Sequence, residues 1–385
     1  MGDTRRHVSL DVLRGIAILG TLGTNIWIFT NVDGLIGYIL GTNEASGPWG
    51  TVQSVLQQIT QGKFLGLLTI MFGVGLAIQQ RSTARRGHRW PGKYYWRASL
   101  LFIDGTVNYF LFTEFDVLTG YAVTGLIVAY LLAMSIRRQR VALFAAAGIH
   151  VALLTIVVWA LATTTPTAVA QQQLSPNPYA DGSFLELVAF RTEHLVLFRS
   201  EVIFILPMSI ALFLAGAALL RAGVLEPHGV ALRSRLMIAG AIALPLDFAA
   251  GLFGGDAGLV LGRYGLAPIV AFGILAWVAQ FYVDGRAPGA LGRALAPVGR
   301  TALTCYVLQN ALTGAVCYGW GLGLAAKLDS TTVVPVTVTL FLAIAGLLMV
   351  GSRLWLAHHD RGPLEWMWHR AYDLLSSATR ERVRS

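Results

Sequence analysis

The sequence predicts an all-α fold: a polytopic membrane helix bundle of about ten transmembrane helices, with the N-terminus and C-terminus cytoplasmic. Three observations carry that prediction. The 385 residues are 55% hydrophobic and only 13% charged, against about a quarter charged in a soluble domain. The apolar residues gather into repeated runs near the ~20 residues that cross a hydrocarbon core as helix. The basic residues sit in the gaps between runs and alternate in density from gap to gap, as cytoplasmic and external loops do.

Taken in order, the runs fall at roughly 10–30, 63–80, 96–113, 116–135, 141–162, 202–222, 235–253, 257–283, 299–320 and 332–356. The first follows Arg5, Arg6 and His7 and reads as an uncleaved first helix, since no small-residue cleavage pattern ends it. With the N-terminus inside, the inner segments hold Arg81, Arg85, Arg86, Arg89, Lys93 and Arg97, then Arg137, Arg138 and Arg140, then Arg221, Arg233 and Arg235, then Arg286, Arg293 and Arg300. The outer segments hold only Lys63, Arg191, Arg199, Arg263 and Lys327. A missed helix would invert every later gap, so the alternation supports an even count. The whole chain, 1–385, reads as one bundle.

Two outer segments are long. Residues 31–62 contain Asp33 and Glu44 and an amphipathic piece from Pro48 to Thr60; residues 163–201 contain a polar run, Gln171 to Asp181, and an amphipathic stretch from Phe184 to Ser200. Both read as loops with short interfacial helices, and long loops are common carriers of function. The net charge of +9 is explained by loop topology, so no nucleic acid is expected. Cys305 and Cys317 lie in one apolar run and fit neither a disulfide framework nor a metal site, so no metal is expected. Gly73 and Gly75 read as a close-packing helix face.

Ionisable groups at membrane depth are costly and therefore candidates for function. Asp11 and Arg14 are three residues apart and can pair on one face of the first helix. Asn25 lies eleven residues beyond Arg14, about three turns, so one face of this helix carries polar groups from one end to the other. Asp104 and Asn108 share a face of the third helix, with Glu114 and Asp116 at its outer end. A buried carboxylate suits acid–base work. His150, Asp247, Gln309 and Asn310 add polar groups on three further helices, and Asp256 could pair with Arg263. Glu193, His194 and Glu201 sit in or near the outer amphipathic stretch, where a histidine beside carboxylates could be a base and a solvated face is the simpler reading.

Helix one opens Ser9-Leu10-Asp11-Val12-Leu13-Arg14-Gly15, with Asn25 following. This resembles the opening of the transmembrane acyltransferase superfamily, which includes the lysosomal heparan-α-glucosaminide N-acetyltransferase and bacterial O-acyltransferases. Within it the chain is more similar to the YeiB-like family of bacterial membrane proteins. That match rests on Lys63-Phe64 leading into Phe72-Gly73-Val74-Gly75, on Gly299-Arg300-Thr301-Ala302-Leu303-Thr304 with Tyr306 and Gln309, on Tyr318-Gly319-Trp320-Gly321-Leu322-Gly323, and on Gly362-Pro363-Leu364-Glu365-Trp366. The C-terminal YeiB-like region is placed at about 230–378. The resemblance implies a bundle in the bacterial cytoplasmic membrane that takes an acyl group from cytoplasmic acyl-CoA, acetyl-CoA in the simplest case. The acceptor would be a small-molecule, glycan or lipid hydroxyl or amine on the outer face. Arg14 matches the superfamily's motif arginine. Asn25 stands where many O-acyltransferases carry histidine, and Asn108, eight residues before Asp116, where YeiB-like relatives tend to carry one.

The expected roles follow. Asp116 or Glu114 would act as base, and Asn25 and Asn108 would hydrogen-bond the acyl carbonyl. Asp11, Arg14, Lys63, Arg263 and Gln309 would bind donor or acceptor. The lipid bilayer is the expected partner, and a homodimer is compatible with such a bundle. Two other functions fit the same residues: a solute or lipid transporter or flippase using intramembrane carboxylates, and a non-catalytic relative lacking the family histidine.

Overall fold

The computed structural model describes residues 4–42, 44–164, 174–283 and 285–382. The start of the polar run at Gln171 and the tail residue Arg384 lie outside the described residues. Every described element is helical. In chain order the helices are α1 (Thr4–Phe29), α2 (Gly34–Leu40), α3 (Pro48–Thr60), α4 (Lys63–Arg85), α5 (Tyr94–Leu111), α6 (Leu118–Leu132), α7 (Ile136–Thr163), α8 (Phe184–Glu193), α9 (Leu195–Arg221) and α10 (Val230–Phe253). They continue as α11 (Gly255–Leu261), α12 (Ala267–Val283), α13 (Ala290–Arg300), α14 (Ala302–Cys317), α15 (Val333–Leu356) and α16 (Pro363–Arg382). Helix satisfies its own backbone groups, which is what an apolar solvent demands.

Each of the ten apolar runs carries a helix, but they are not equivalent. Among the described residues, seven helical segments are long and apolar enough to cross a membrane: Val8–Phe29, Pro48–Arg85, Ile136–Thr163, Leu195–Arg221, Pro227–Phe253, Gly255–Val283 and Val333–Leu356. The expectation of ten spans therefore rests on α5, α6 and α14, which are shorter or more polar. The run at 299–320 is divided at Thr301, between α13 and α14. The stretch from Phe184 to Ser200 divides at His194, where α8 ends and α9 begins.

Burial sorts the helices into centre and rim. The apolar windows of α1 and of the α3–α4 segment are 72% buried, those of α7 and α10 only 17%. The rim helices turn Ile149, Ile156, Trp159, Ile242 and Phe253 outward, large apolar side chains of the kind lipid covers. Around α1 the packing is backbone-close. A Cβ on Gly15 would lie 2.2 Å from the Leu295 carbonyl oxygen of α13, and one on Gly73 would lie 2.1 Å from that of Phe213 on α9. Gly73 thus serves the packing face expected of it, whereas Gly75 looks towards Arg14.

The C-terminal motifs meet as a reciprocal cap. The Glu365 carboxylate of α16 accepts from the backbone N–H of Leu303 (2.8 Å) and Thr304 (3.2 Å) and from the Thr304 hydroxyl (2.5 Å). The Thr304 hydroxyl in turn accepts from the Leu364 N–H at 3.1 Å. Two helix N-termini satisfy each other's free donors. Gly362 leaves room for the cap, since a Cβ there would fall 2.2 Å from Glu365 Oε2 and 2.8 Å from the Thr304 hydroxyl and would displace the bonds between them.

Candidate functional site

Two cavities lie at opposite ends of α1. At the end bearing Arg14, a cavity of about 370 Å³ is lined by Arg14 and Ile18 of α1, by Gln79 of α4, by Tyr94 and Arg97 of α5, by Arg300, and by Glu365 and Trp368 of α16. At the other end, a cavity of about 150 Å³ is lined by Thr21, Asn25 and Ile28 of α1, Tyr38 of α2, Asp116, Glu201 of α9, and Arg263 and Tyr264. Residues 14, 18, 21, 25 and 28 recur at helical spacing. The polar stripe read from the sequence therefore faces both cavities. Among the described residues, Tyr306 of α14 is the one side chain that lines both. It is 2% exposed, and its hydroxyl accepts from the Val117 N–H at 3.3 Å. Beside it Phe72 and Tyr121 pack with ring centroids 4.7 Å apart.

The Arg14 cavity is cationic. Arg14 lies 3.6 Å from Asp11, the i,i+3 pair that the spacing predicts. Arg97 donates to Gln79 Oε1 at 2.9 Å and stacks over the Tyr372 ring at 4.7 Å. Arg300 donates to the Asp360 carbonyl at 3.2 Å. Three guanidinium groups around one hollow suit an anionic, phosphate-bearing ligand.

At the opposite end most predicted carboxylates are already committed. Glu114 is fully buried. It accepts from Arg191 Nε at 3.2 Å and from the Tyr179 hydroxyl at 2.8 Å. Arg191 also donates from its two terminal nitrogens to the carbonyls of Phe110 and Phe112. Asp116 accepts from Asn108 Nδ2 (2.9 Å), the Thr119 N–H (3.0 Å) and the Thr119 hydroxyl (2.9 Å), with Arg199 4.0 Å away. Asn108 does not line the cavity; its carbonyl oxygen accepts from Asn310 at 3.4 Å. Glu114 and Asp116 both line the cavity, and these bonds make them part of its wall. Glycine at position 105 makes room for it, since a Cβ there would lie 2.8 Å from Asp116 Oδ2.

The other predicted residues separate. Asn25 faces the cavity and makes no side-chain hydrogen bond among the described residues. Lys63 lines neither cavity. Its buried ammonium pairs with the Asp247 carboxylate and donates to the Gln58 carbonyl at 2.5 Å, while Gln58 Nε2 donates to Asp247 Oδ2 at 2.8 Å. This junction ties the α3–α4 break to α10. Gln309 is fully buried, and both polar atoms of its amide lack a hydrogen-bond partner among the described residues. Arg263 pairs with Glu201 at 2.9 Å rather than with Asp256, which is exposed on α11. The reason is a π-helical turn at Gly262–Leu266. The wider turn rotates Arg263 and Tyr264 into the cavity, the usual setting for such turns being a functional site. His150 supports the turn: its Nε2 donates to the Tyr264 carbonyl at 2.9 Å, which fixes the tautomer because a carbonyl only accepts.

Glu201 has a setting that sequence reading does not give it. Set between a histidine-containing amphipathic stretch and an apolar helix, it looked like part of a solvated face. Its Oε1 accepts from Arg263 (2.9 Å) and from the Tyr264 hydroxyl (2.6 Å). Only the fold brings those partners together, 62 and 63 residues away in sequence.

A helical bundle with a cationic cavity at one end and a hydroxyl-, amide- and carboxylate-lined cavity at the other is the class of protein that fold and site define. The family model "Protein of unknown function (DUF418)" matches residues 219–374, from the end of α9 into α16. Over nearly its full length the chain is similar to "Uncharacterized protein YxaH" of Bacillus subtilis (strain 168), 27% identical over 388 residues, covering 94% of this chain and 93% of the relative. It is also similar to "Uncharacterized protein YeiB" of Escherichia coli (strain K12), 28% identical over 399 residues, covering 95% and 96%. These similarities support a YeiB-like family.

Proposed function

We propose that the chain is a membrane-bound acyltransferase of about ten spans, both termini cytoplasmic, in the bacterial inner membrane. It would pass an acyl group from cytoplasmic acyl-CoA to an acceptor hydroxyl or amine on the outer face. The observation that carries this reading is the pair of cavities at opposite ends of the α1 stripe, meeting at Tyr306. Reaction across a bilayer needs a donor site and an acceptor site that share one reacting point, and the contact at Tyr306 supplies such a point.

In this reading the Arg14 end faces the cytoplasm, in keeping with the basic loops there. Arg14, Arg97 and Arg300 hold the phosphates of the donor, and a hollow of about 370 Å³ lies in the size range of small-molecule sites. The pantetheine arm runs along Ile18 and Met71 towards Tyr306. Asn25, whose amide makes no side-chain hydrogen bond among the described residues, donates to the acyl carbonyl as negative charge builds on its oxygen. Asn108 and Asp116 hold the wall behind it. Proton relay by a transporter draws less support, because Asp247 is locked to Lys63 and Gln58 and His150 to a backbone carbonyl.

The test is acetyl-CoA binding to the purified full chain in lipid nanodiscs. Micromolar binding that falls at least tenfold in Arg14→Ala is expected. No binding by the wild-type chain, together with solute flux into liposomes lacking any acyl donor, would overturn the proposal in favour of transport.

A further inference from the structure

We infer that Glu201 is the general base of the acceptor cavity, the group that takes the proton from an acceptor hydroxyl. This rests on the acyltransferase reading. The carboxylates expected to do that work are spent: Glu114 on Arg191 and Tyr179, both oxygens of Asp116 on Asn108 and Thr119. Glu201 is bonded on one side only. Arg263 and Tyr264 both donate to Oε1, and no hydrogen bond reaches Oε2 among the described residues. The side chain is 35% exposed and lines the cavity together with Asn25. One oxygen is thus anchored and the other is open to a bound ligand, the arrangement a positioned base requires.

The anchor is itself built into the fold. The π-helical turn that delivers Arg263 and Tyr264 is held by His150, so the base is oriented by groups on α7 and on the turn preceding α12. In the transfer step the acceptor oxygen forms a bond to the thioester carbon as its proton passes to Glu201 Oε2. The carbon–sulfur bond breaks and the coenzyme A thiolate leaves towards the Arg14 end, where water protonates it. Glu201 returns its proton to water at the other end. Acyl-CoA and an alcohol have then become an ester and free coenzyme A.

The experiment compares the wild-type full chain with Glu201→Gln in nanodiscs, using acetyl-CoA as donor. Two acceptors are read: water, by thiol release, and hydroxylamine, by hydroxamate formation. Water needs a base, whereas hydroxylamine is nucleophilic without one. Glu201→Gln is expected to lose at least tenfold in hydrolysis, while acetyl-CoA binding and hydroxamate formation stay within threefold of wild type. Equal hydrolysis by the two proteins overturns the assignment. So does joint loss of hydrolysis, hydroxamate formation and binding in the variant, which would mark Glu201 as purely structural. Hydroxamate formation without hydrolysis in the wild type also overturns it, because a base open to the cavity would activate water. A wild-type chain that neither binds acetyl-CoA nor forms hydroxamate overturns the acyltransferase reading itself.

Discussion

At the scale of single residues, the chain separates buried charges that hold the fold from charges left open for a ligand. Glu114 and Arg191 are each 1% exposed or less as side chains. Each nitrogen of the Arg191 guanidinium and each carboxylate oxygen of Glu114 has a partner, which is what keeps a charge stable away from water. Arg14, Asn25 and Glu201 keep at least one face towards a cavity. The distinction is testable at Arg191. Arg191→Ala leaves the Glu114 carboxylate without its cation, and breaking a buried pair costs about 3–5 kcal/mol. A large fall in the thermal unfolding midpoint of the detergent-solubilised protein is expected. Arg191→Met combined with Glu114→Gln should recover much of the loss. If Arg191→Ala unfolds at the wild-type temperature, the pair is not formed in the folded protein.

At the scale of elements, the short helices depend on partners that long apolar helices do not need. α14 has 16 residues, and Glu365 of α16 caps its first turn. Removing such a cap costs about 0.5–2 kcal/mol. Glu365→Ala should therefore lower thermal stability modestly and speed hydrogen exchange at the Leu303 and Thr304 amides, with the α7 amides unchanged. Unaltered exchange at those two positions would show that the cap carries no weight. Since Glu365 also lines the Arg14 cavity, this cap couples α14, and Tyr306 on it, to whatever occupies that cavity.

At the scale of the molecule, the two cavities share one lining side chain among the described residues, Tyr306. Removing it should join them. Thr21 lines the cavity at the Asn25 end, so Thr21→Cys, placed in a chain whose Cys305 and Cys317 are changed to serine, should react with a membrane-impermeant maleimide from that side alone. In a Tyr306→Ala background the same thiol should react from both sides of a sealed vesicle. Labelling that stays one-sided after Tyr306→Ala would mean that other groups hold the partition.

Much of this was legible in the chain itself. The ten apolar runs, the polar face from Arg14 to Asn25, the Asp11–Arg14 pair and the packing role of Gly73 all follow from hydropathy and periodicity, because a helix places residues three and four apart on one face whatever surrounds it. The close joining of the Gly299–Thr304 and Gly362–Trp366 motifs was visible only as two separate motifs. Lys63 could be placed at a helix start but not beside Asp247, nor could Arg263 be assigned to Glu201 over Asp256, since both pairs join helices distant in sequence. The π-helical turn has no sequence signature that spacing arguments can detect.

What the sequence by itself determined is an all-helical chain, apolar in the right lengths, with charge arranged along one face of its first helix; local periodicity and hydropathy suffice for that. Which charges are spent and which remain open was decided only by the tertiary structure. A carboxylate's role depends on how many donors reach it, and here those donors arrive from other helices. So Glu114 and Asp116, two residues apart in sequence and expected to act, are bonded into the wall. Glu201, read as a solvated face, is the carboxylate with an oxygen left to the cavity.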